Sequence, residues 1–413
     1  MPTLLTRIVK FGCGALALAS ASLFSAAVVA QPASHPFYVA TRGETAGAPG
    51  TIIRIARMVT SPPGAIAYRV LYRSRGMRNE PIAASGVIIV PIAAAPPDGR
   101  KVVAWAHPTS GVVPHCAPSL AFFLYNQIHG LDEMIARGFV VVATDYPGLG
   151  TPGPHPYLVG TSEGRSVLDS VRAARQIPGV GAVRDFTVWG HSQGGQAALF
   201  TGMLARSYAP DLTLRGVAAA APATDLLALL QDDSGTVGGN NLAAMALWSW
   251  TRVYGAPLGG VVEPDAMPTV DALANVCIES IQDILLRGVI GRPLTRSFLA
   301  DPKFYQSQPW RQLLITNSPG TLPGRVPVFI AQGLSDETVR SAVTFKYMRR
   351  LCRAGSPVAL AVLPNAGHAF IARDTAAQAV DWMARRFANL LPRNDCGRVP
   401  GIVQAKLTSG ANP

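Results

Sequence analysis

The stretch that decides the fold is Phe186-Thr-Val-Trp-Gly-His-Ser-Gln-Gly-Gly-Gln-Ala-Ala-Leu-Phe200. It begins with a short, largely apolar run, passes through a serine flanked by glycines, and ends in small residues with helical spacing. A short apolar run followed by glycine is typical of a buried strand that ends in a turn, and the residues beyond it are typical of a helix. The stretch therefore predicts a strand, a sharp turn and a helix.

The turn in this stretch carries a pattern with a chemical meaning. Gly190, Ser192 and Gly194 fit G-x-S-x-G, in which the serine occupies a strained strand-to-helix turn and exposes its hydroxyl above a parallel sheet. A side chain at either glycine would crowd the neighbouring strand and helix. A five-residue pattern can match by chance, but the strand before it and the helix after it are the context that the motif requires. Ser192 is therefore predicted to be a nucleophile.

A nucleophilic serine needs a base within hydrogen-bond reach, and the base needs a third group to orient it. In hydrolases built on this turn the chain order is serine, acid, histidine. Of the seven histidines, His368 is the one that follows Ser192, and it comes just after the apolar run at residues 358–362. His368 is therefore predicted to be the base.

Asp336 is the predicted acid because it follows a convincing buried strand at residues 326–331. Glu337 is the adjacent alternative. Asp225 follows another strand-like run and would serve if the acid had moved one strand earlier. A purely structural role for Asp336 would be to cap the helix that begins near Thr338.

The oxyanion donors are predicted from the same fold. The first donor is the amide after the nucleophile, here that of Gln193, and the second comes from the loop after an earlier strand. That loop reads His107-Pro-Thr-Ser-Gly111. Pro108 has no N–H to donate. Thr109 is the predicted second donor, and Ser110 is the close alternative.

The rest of the chain alternates between apolar runs and helical patterns. Residues 51–91 contain runs that predict a leading antiparallel meander. Further continuous apolar runs have the length of buried strands and are separated by helical stretches, which predicts a mostly parallel sheet with helices on both faces. The predicted strands are residues 102–106, 139–144, 186–191, 216–221, 326–331 and 358–362, and the predicted helices are residues 120–137, 162–176, 193–207, 339–354 and 375–391.

This alternation stops for about a hundred residues in the middle of the chain. Residues 223–323 are helical and turn-rich, with residues 242–250 and 270–289 as the clearest helices. We expect a helical cap, or lid, inserted between residues 31–222 and 324–397 of the hydrolase core, with its inner face forming the acyl-binding surface. Either the core of the cap or its inner face is the expected place of Trp248, Trp250 and Leu285. A charged residue at Trp250 or Leu285 would test whether that position lines the acyl-binding surface.

The two ends of the chain are predicted to lie outside the folded unit. Residues 1–30 carry Arg7 and Lys10 before an alanine-rich apolar run that ends in small residues, the layout of a secretory signal peptide. A retained membrane anchor is the alternative, and the small residues at the end of the run argue against it. The protein is therefore expected to be secreted or periplasmic. Residues 398–413 are expected to form a C-terminal tail.

Charge and cysteine usage exclude several functions. Loss of Arg7 and Lys10 with the signal would reduce the formal charge of +12 by two, and the charge that remains is spread without long basic runs. Nucleic-acid binding is not indicated, whereas transient contact with an anionic lipid interface is. With no C-x-x-C pair and no H-E-x-x-H, no metal site is expected. Four cysteines remain after the signal, which allows two disulfides in three possible pairings, namely among Cys116, Cys277, Cys352 and Cys396.

Five motifs in order make the chain resemble the secretory lipase family typified by Candida antarctica lipase A. They are Gly-His-Ser-Gln-Gly-Gly, the loop from His107 to Val112, Cys116-Ala-Pro-Ser119, the Gly333-x-x-Asp-x-x-Val339 loop and Ala366-Gly-His-Ala369. The resemblance covers about residues 35–397. Its His-Pro pair departs from the His-Gly of many hydrolases, which affects the identity of the second oxyanion donor.

The resemblance implies a lid-bearing enzyme with the α/β-hydrolase fold that cleaves carboxylic esters, including triacylglycerols, and acts without a cofactor. It carries the triad onto Ser192, Asp336 and His368, and it implies the disulfides Cys116–Cys277 and Cys352–Cys396. The predicted function is a secreted serine ester hydrolase of lipophilic substrates, working through an acyl-enzyme.

Two other functions stay open at this point. One is a serine peptidase of the prolyl-oligopeptidase type, although no propeller repeat precedes the catalytic half. The other is a non-catalytic binding module on the hydrolase fold, although such a module has no need for a complete triad.

Overall fold

A computed structural model describes residues 35–398 of the 413-residue chain. The predicted signal peptide, residues 1–30, and all but the first residue of the predicted tail, residues 398–413, lie outside the described residues. None of the helices within residues 35–398 combines the length and the apolar character needed to cross a bilayer.

The strands of the described part form one nine-stranded sheet in the order β1-β2-β3-β5-β4-β6-β7-β8-β9. Neighbours from β1 to β3 are antiparallel, β3 is antiparallel to β5, and all remaining neighbours are parallel. This arrangement confirms the leading meander and the mostly parallel sheet. The strands are β1 (Ile52–Arg57), β2 (Ala65–Arg75), β3 (Pro81–Pro91), β4 (Arg100–Ala106), β5 (Val140–Thr144), β6 (Ala182–His191), β7 (Thr213–Ala220), β8 (Val328–Gly333) and β9 (Val358–Leu363).

Helices cover both faces of this sheet. Successive residues of a strand point to opposite faces, and β7 illustrates this. A Cβ added to Gly216 would lie 2.5 Å from Trp382 in the helix at residues 376–387. One added to Gly202, in the helix at residues 193–208, would lie 2.9 Å from Val217, the next residue of β7. The helices are α1 (Arg42–Thr45), α2 (Leu131–Ala136), α3 (Gly160–Ala174), α4 (Gln193–Tyr208), α5 (Leu226–Asp233), α6 (Val237–Tyr254), α7 (Met267–Ala274), α8 (Ile281–Ile290), α9 (Trp310–Thr316), α10 (Ser341–Arg353), α11 (Ile371–Asp374) and α12 (Ala376–Phe387).

Two of the predicted helices are wrong in their extent. Residues 120–137 were expected to form one helix, but they contain short 3-10 turns and then α2, which begins after Gly130 at a φ of +86°. Residues 270–289 divide into α7 and α8. The second helix starts anew because Ser280 and Asp283 form a capping box, with each side chain accepting from the backbone N–H of the other.

The parallel strands bring the predicted site residues to one edge. Loops leave the carboxyl ends of β4, β6, β8 and β9, and these loops carry Thr109, Ser192, Asp336 and His368 respectively. Since the carboxyl ends of parallel strands lie on the same side of a sheet, the four loops meet there. β6 is fully buried from Phe186 to His191, so the strand that presents the serine lies in the core.

The segment between β7 and β8, residues 223–323, contains α5 to α9 and leaves the sheet at this same edge. We call it the inserted segment. Cys116 and Cys277 form a disulfide that joins the loop after β4 to the connection between α7 and α8. Cys352 and Cys396 form a second disulfide between α10 and the C-terminal turn. Both pairings are those that the family resemblance implies.

Candidate active site

The turn at Ser192 has the strained geometry that the sequence motif predicts. Ser192 has a φ of +56° and a ψ of −118°, a backbone conformation that residues other than glycine rarely adopt. A Cβ added to Gly190 would lie 2.1 Å from the carbonyl oxygen of Gly194, and one added to Gly194 would lie 1.9 Å from that of Ala106. Both glycines are therefore required for the turn to close against β4.

Ser192, His368 and Asp336 form a continuous chain of hydrogen bonds. His368 Nε2 lies 2.8 Å from Ser192 Oγ, and its Nδ1 lies 2.8 Å from Asp336 Oδ2. Asp336 is 4% exposed, and its Oδ1 accepts from the backbone N–H groups of Thr338 at 2.9 Å and Val339 at 2.7 Å. A carboxylate can only accept, so Nδ1 donates to Asp336 and Nε2 is free to accept the serine proton.

Asp336 therefore has both of the roles that were weighed for it, as partner of the histidine and as a cap for the following turn. The two alternative acids lie elsewhere. Asp225 caps α5 by accepting from Ala228 N–H at 3.2 Å, and it pairs with Lys346 Nζ at 3.0 Å. Glu337 is exposed. Within residues 35–398 neither of them is bonded to His368.

The residue before the serine also contributes to the site, and sequence reasoning missed it. His191 is buried, and its Nε2 donates to the carbonyl oxygen of His368 at 2.9 Å. Burial lowers the pKa of His191 well below its ordinary range, with His368 and His129 acting in the same direction. A neutral His191 therefore anchors the loop that carries His368. The position of His191 inside the G-x-S-x-G pattern is the feature of the sequence that could have indicated its place in the site.

The two predicted oxyanion donors face the same cavity as the serine. Thr109 and Gln193 line this cavity together with Ser192. Their backbone N–H groups have no acceptor within residues 35–398, which is what a site for an incoming oxyanion requires. Ser110, the alternative, does not line the cavity, and its carbonyl oxygen accepts from Ile278 N–H at 2.7 Å. The geometry favours Thr109, whose hydroxyl lies 3.1 Å from Tyr157 Oη.

A buried polar cluster surrounds the side chain of Gln193. Gln193 Nε2 donates to Glu163 Oε1 at 2.7 Å and lies 2.9 Å from His155 Nε2. His155 Nδ1 must donate, because its partner at 2.8 Å is the carbonyl oxygen of Pro147. His155 Nε2 is then an acceptor, and both amide hydrogens of Gln193 are used. Nothing in the sequence indicated this cluster, since Glu163 belongs to no motif.

Burial determines the protonation of this cluster. It lowers the pKa of His155 to about 3 and raises the pKa of Glu163 to about 8. Within the described residues, Glu163 Oε2 and Gln193 Oε1 are buried without a hydrogen-bond partner. A proton on Glu163 removes the cost of burying an ionised carboxylate, so the neutral acid fits this environment.

The cavity above Ser192 has a free volume of about 100 Å³ and is mostly apolar. Most of its wall comes from α5 and α6 of the inserted segment. Asp233 is the one acidic side chain among the lining residues that the structure describes. The lining residues from the inserted segment are Ala223, Leu226, Leu229, Leu230, Asp233, Gly239, Leu242, Ala243, Ala246, Trp250 and Leu314.

The three residues singled out in this segment have different environments. Trp250 lines the cavity and is fully buried, with its Nε1 donating to the carbonyl oxygen of Tyr157 at 2.8 Å. Trp248 is a core residue whose Nε1 donates to Asp271 at 2.9 Å. The expectation for Leu285 is wrong, because it is 66% exposed on α8 and belongs neither to the core nor to the cavity wall. Its place in an apolar helical run did not reveal which face of that helix was covered.

Among the described residues, His115, Cys116 and Cys277 are the one group with donor atoms close enough to hold a metal ion. Both sulfur atoms of this group form the Cys116–Cys277 disulfide, so neither is available as a thiolate ligand.

The matching family, two sequence relatives and two similar solved structures are all lipases or esterases by name. The sequence profile of the family described as Secretory lipase matches residues 125–394. Lipase 5 of Candida albicans is 26% identical and covers 86% of this chain and 81% of its own length, and a probable inactive lipase of Mycobacterium tuberculosis is also 26% identical and covers 70% of each. Among solved structures, Candida antarctica lipase A has a TM-score of 0.74 at 18% identity and covers 88% of both chains. The rice cell wall degrading esterase LipA from Xanthomonas oryzae has a TM-score of 0.67 at 22% identity, covering 82% of this chain and 100% of its own.

Proposed function

The chain belongs to the secretory lipase family and is a carboxylic ester hydrolase with the α/β-hydrolase fold, and we propose that Ser192, His368 and Asp336 are its catalytic triad. The observation that carries this proposal is the hydrogen-bonded chain from Ser192 Oγ through the His368 ring to the Asp336 carboxylate. Its substrates are lipophilic esters, as the family implies.

The first half-reaction is attack on the ester carbonyl. Ser192 Oγ forms a bond to the carbonyl carbon as His368 Nε2 takes its proton, and the Asp336 carboxylate stabilises the resulting imidazolium. The carbonyl oxygen becomes an oxyanion and accepts from the N–H groups of Gln193 and Thr109. Gln193 is the first residue of α4, so the positive end of the helix dipole also favours this charge.

Collapse of this intermediate breaks the bond to the alcohol, which leaves with the proton from His368. Water then attacks the acyl-enzyme by the same route, with His368 again as base, and the carboxylic acid is released. Every proton in these steps moves between His368, Ser192, water and the substrate. No further group is needed for the balance of atoms.

The two alternative functions have less support. A non-catalytic module would not need a serine held in a strained turn and bonded to a histidine and a buried aspartate. A peptidase would need polar groups to hold a peptide backbone, whereas the wall of this cavity is largely leucine and alanine.

We assign the inserted segment as the cap, with the apolar side chains of its α5 and α6 as the acyl-binding wall. Such a wall binds acyl chains through buried apolar area, at about 0.8 kcal/mol per methylene. The 100 Å³ of free space is small for a long acyl chain, so binding of such chains is expected to displace part of the cap.

The outside of the cap carries exposed apolar side chains that fit a lipid interface. Large side chains of α8 and of the loop at residues 120–123 are exposed. The chain segments next to these two regions are in contact, because Gln127 Nε2 donates to the carbonyl oxygen of Glu279 at 3.1 Å. We propose that this apolar outer surface makes transient contact with lipid, because soluble proteins rarely expose contiguous apolar patches without a partner. It consists of Leu120, Phe122, Phe123, Ile281, Ile284, Leu285, Leu286 and Val289.

Export through a signal peptide at residues 1–30 completes the proposal, with the enzyme acting in the periplasm or outside the cell. The family is one of secretory lipases. The two disulfides fit this location, because disulfides persist in oxidising compartments.

Covalent labelling tests the proposal directly. A fluorophosphonate should add one group to Ser192, located by peptide mass mapping, and should abolish ester hydrolysis. The Ser192→Ala variant should not be labelled at any of its remaining serines. A folded wild-type protein that hydrolyses esters while Ser192 stays unlabelled would overturn the assignment.

A further inference from the structure

Asp233 is a carboxylic acid in an apolar wall. It is the last residue of α5 and lines the same cavity as Ser192. Its neighbours along the helix, Leu226, Leu229 and Leu230, line the cavity as well. Hydrophobic burial alone would favour a further leucine at this position, so the acid requires a reason of its own.

The carboxyl group of Asp233 has no partner within residues 35–398. No donor of those residues bonds to its side-chain oxygens, and no cation of those residues lies within ion-pair distance of them, although the charge of Arg340 acts on the carboxyl from further away. Its backbone carbonyl oxygen, in contrast, accepts from Thr236 N–H at 3.2 Å and Thr236 Oγ1 at 2.8 Å. A partly buried polar group without a partner is unfavourable unless a ligand or water supplies one. The unpaired oxygens are therefore available to whatever occupies the cavity.

Asp233 shares its cavity with the residues that follow Asp336, and it lies within electrostatic range of His368. Burial raises the pKa of Asp233 to about 7, Asp232 and Asp336 act in the same direction, and Arg340 and His368 oppose them. Thr338 and Val339, which follow Asp336, line the same cavity. Asp233 is thus on the side of the cavity that belongs to His368 and Asp336.

That side of the cavity receives the alcohol portion of the ester. The carbonyl oxygen points towards the N–H groups of Thr109 and Gln193, and His368 Nε2 gives its proton to the departing alcohol oxygen. The alcohol therefore leaves next to His368, within the electrostatic range of Asp233. This step depends on the proposed triad.

We propose that Asp233 is a specificity-determining residue that selects esters whose alcohol portion carries a second hydrogen-bond donor, as a partial ester of a polyol does. The free hydroxyl donates to the Asp233 carboxylate while His368 protonates the ester oxygen. An alcohol without that hydroxyl leaves the carboxyl unpaired and reacts more slowly. The inference rests on the proposed function, and it adds the chemical class of the alcohol.

A matched pair of substrates tests this inference. 2-Hydroxyethyl butyrate and propyl butyrate differ by a hydroxyl in place of a methyl group, and both release butyrate. For the wild type we expect kcat/KM to favour the hydroxyl ester by about tenfold, the range of a hydrogen bond to a charged group. Asp233→Asn should reduce this preference and Asp233→Leu should abolish it, with hydrolysis of propyl butyrate retained in both. Asp232→Asn is the control, because Asp232 is adjacent but does not line the cavity.

The pH dependence of the same ratio provides a second measurement. Ionisation of Asp233 strengthens its hydrogen bond to the hydroxyl, so the preference should increase as the pH rises through about 7 in wild type. Asp232→Asn should show the same increase at a lower pH, because the Asp232 charge is one of the causes that raise the pKa of Asp233. The preference should stay constant in Asp233→Asn. Any effect of pH on the shared triad changes the rate of both esters alike and cancels in the ratio.

The outcomes separate this inference from the proposed function. An unchanged ratio in both Asp233 variants, with propyl butyrate still hydrolysed through a labelled Ser192, would overturn the role of Asp233 and leave the triad standing. Hydrolysis of both esters without labelling of Ser192 would overturn the triad and, with it, this inference.

Discussion

The edge of the sheet and the inserted segment above it are built in different ways. At the sheet edge, hydrogen bonds hold two of the triad members in place. Asp336 accepts from two backbone N–H groups, and the carbonyl oxygen of His368 accepts from the side chain of His191. The inserted segment instead meets the serine with leucine and alanine side chains, and its α8 is largely exposed. The difference teaches that chemistry and selectivity are separable here, because one region fixes a few atoms and the other provides a deformable apolar wall.

The largest effect is expected at the serine. Ser192→Ala should lower kcat for ester hydrolysis by about 10⁶-fold, as loss of a triad nucleophile does in other hydrolases. The inserted segment should be unaffected, so a long-chain alkyl ester should still bind. Release of p-nitrophenol from a soluble p-nitrophenyl ester measures the hydrolysis rate. Fluorescence of the cavity residue Trp250 measures binding of the long-chain ester. A variant that retains a tenth of the wild-type rate would contradict the assignment.

Replacement of the acid should have the next largest effect. Asp336→Asn should lower turnover by about 10⁴-fold, because the amide cannot stabilise the imidazolium and favours the wrong tautomer of His368. Asp225→Asn is the matched control and should retain activity within a few-fold, since Asp225 is bonded to α5 and Lys346. The reverse ranking would move the acid to the strand before.

The protonation of Glu163 can be tested through the pH dependence of stability. Burial raises its pKa from 4.5 to about 8, so the folded chain holds this proton across a range in which the unfolded chain has lost it. Between these pH values the free energy of unfolding should therefore fall as the pH rises, by up to about 1.4 kcal/mol per pH unit.

Glu163→Gln should remove this part of the slope, which urea unfolding at several pH values would measure. Glu337→Gln, at an exposed position, is the control and should leave the slope unchanged. An equal slope in wild type and Glu163→Gln would show that Glu163 is ionised in the folded protein.

A smaller and more selective effect is expected in the cavity wall. Leu242→Asp places a charge among the apolar lining residues and should lower kcat/KM for a decanoate ester about tenfold more than for an acetate ester. The acetate scarcely uses the wall, whereas the decanoate depends on it. Equal losses for both esters would mean that Leu242 serves the stability of the cap and not chain-length preference.

The smallest effect is expected on the apolar outer surface. Leu285→Asp should leave hydrolysis of dissolved short-chain esters unchanged and reduce turnover on emulsified tributyrin a few-fold, because adsorption scales with exposed apolar area. Val59→Asp is a matched control at another exposed apolar position. Equal behaviour of the two variants on the emulsion would exclude α8 as the lipid-contacting region.

Sequence reasoning worked well where local order determines position. Ser192, Asp336 and His368 each follow a buried strand directly, so the parallel sheet brings them together whatever the rest of the chain does. The same reasoning missed Glu163 and His155, whose contacts to Gln193 come from elements that are distant in sequence. Periodicity gives the presence of a helix more reliably than the face that it buries.

The inserted segment shows the same limit. Its apolar composition suited both a core and a cavity wall, and only packing separates Trp250, which faces the cavity, from Leu285, which faces outward. In the region at residues 120–137, the left-handed backbone of Gly130 interrupts the expected helix, and α2 begins only at the next residue.

The Cys116–Cys277 disulfide has a consequence for how the enzyme must be produced. Its two cysteines are 161 residues apart in the sequence. The bond links the inserted segment covalently to the loop of Thr109, in addition to the peptide bonds at the two ends of the segment. Expression in a reducing bacterial cytoplasm would yield four free thiols and a cap tethered by its ends alone. Preparations from the periplasm and the cytoplasm would then differ in specific activity at equal purity, and the oxidation state of the cysteines belongs among the quality controls of any kinetic study.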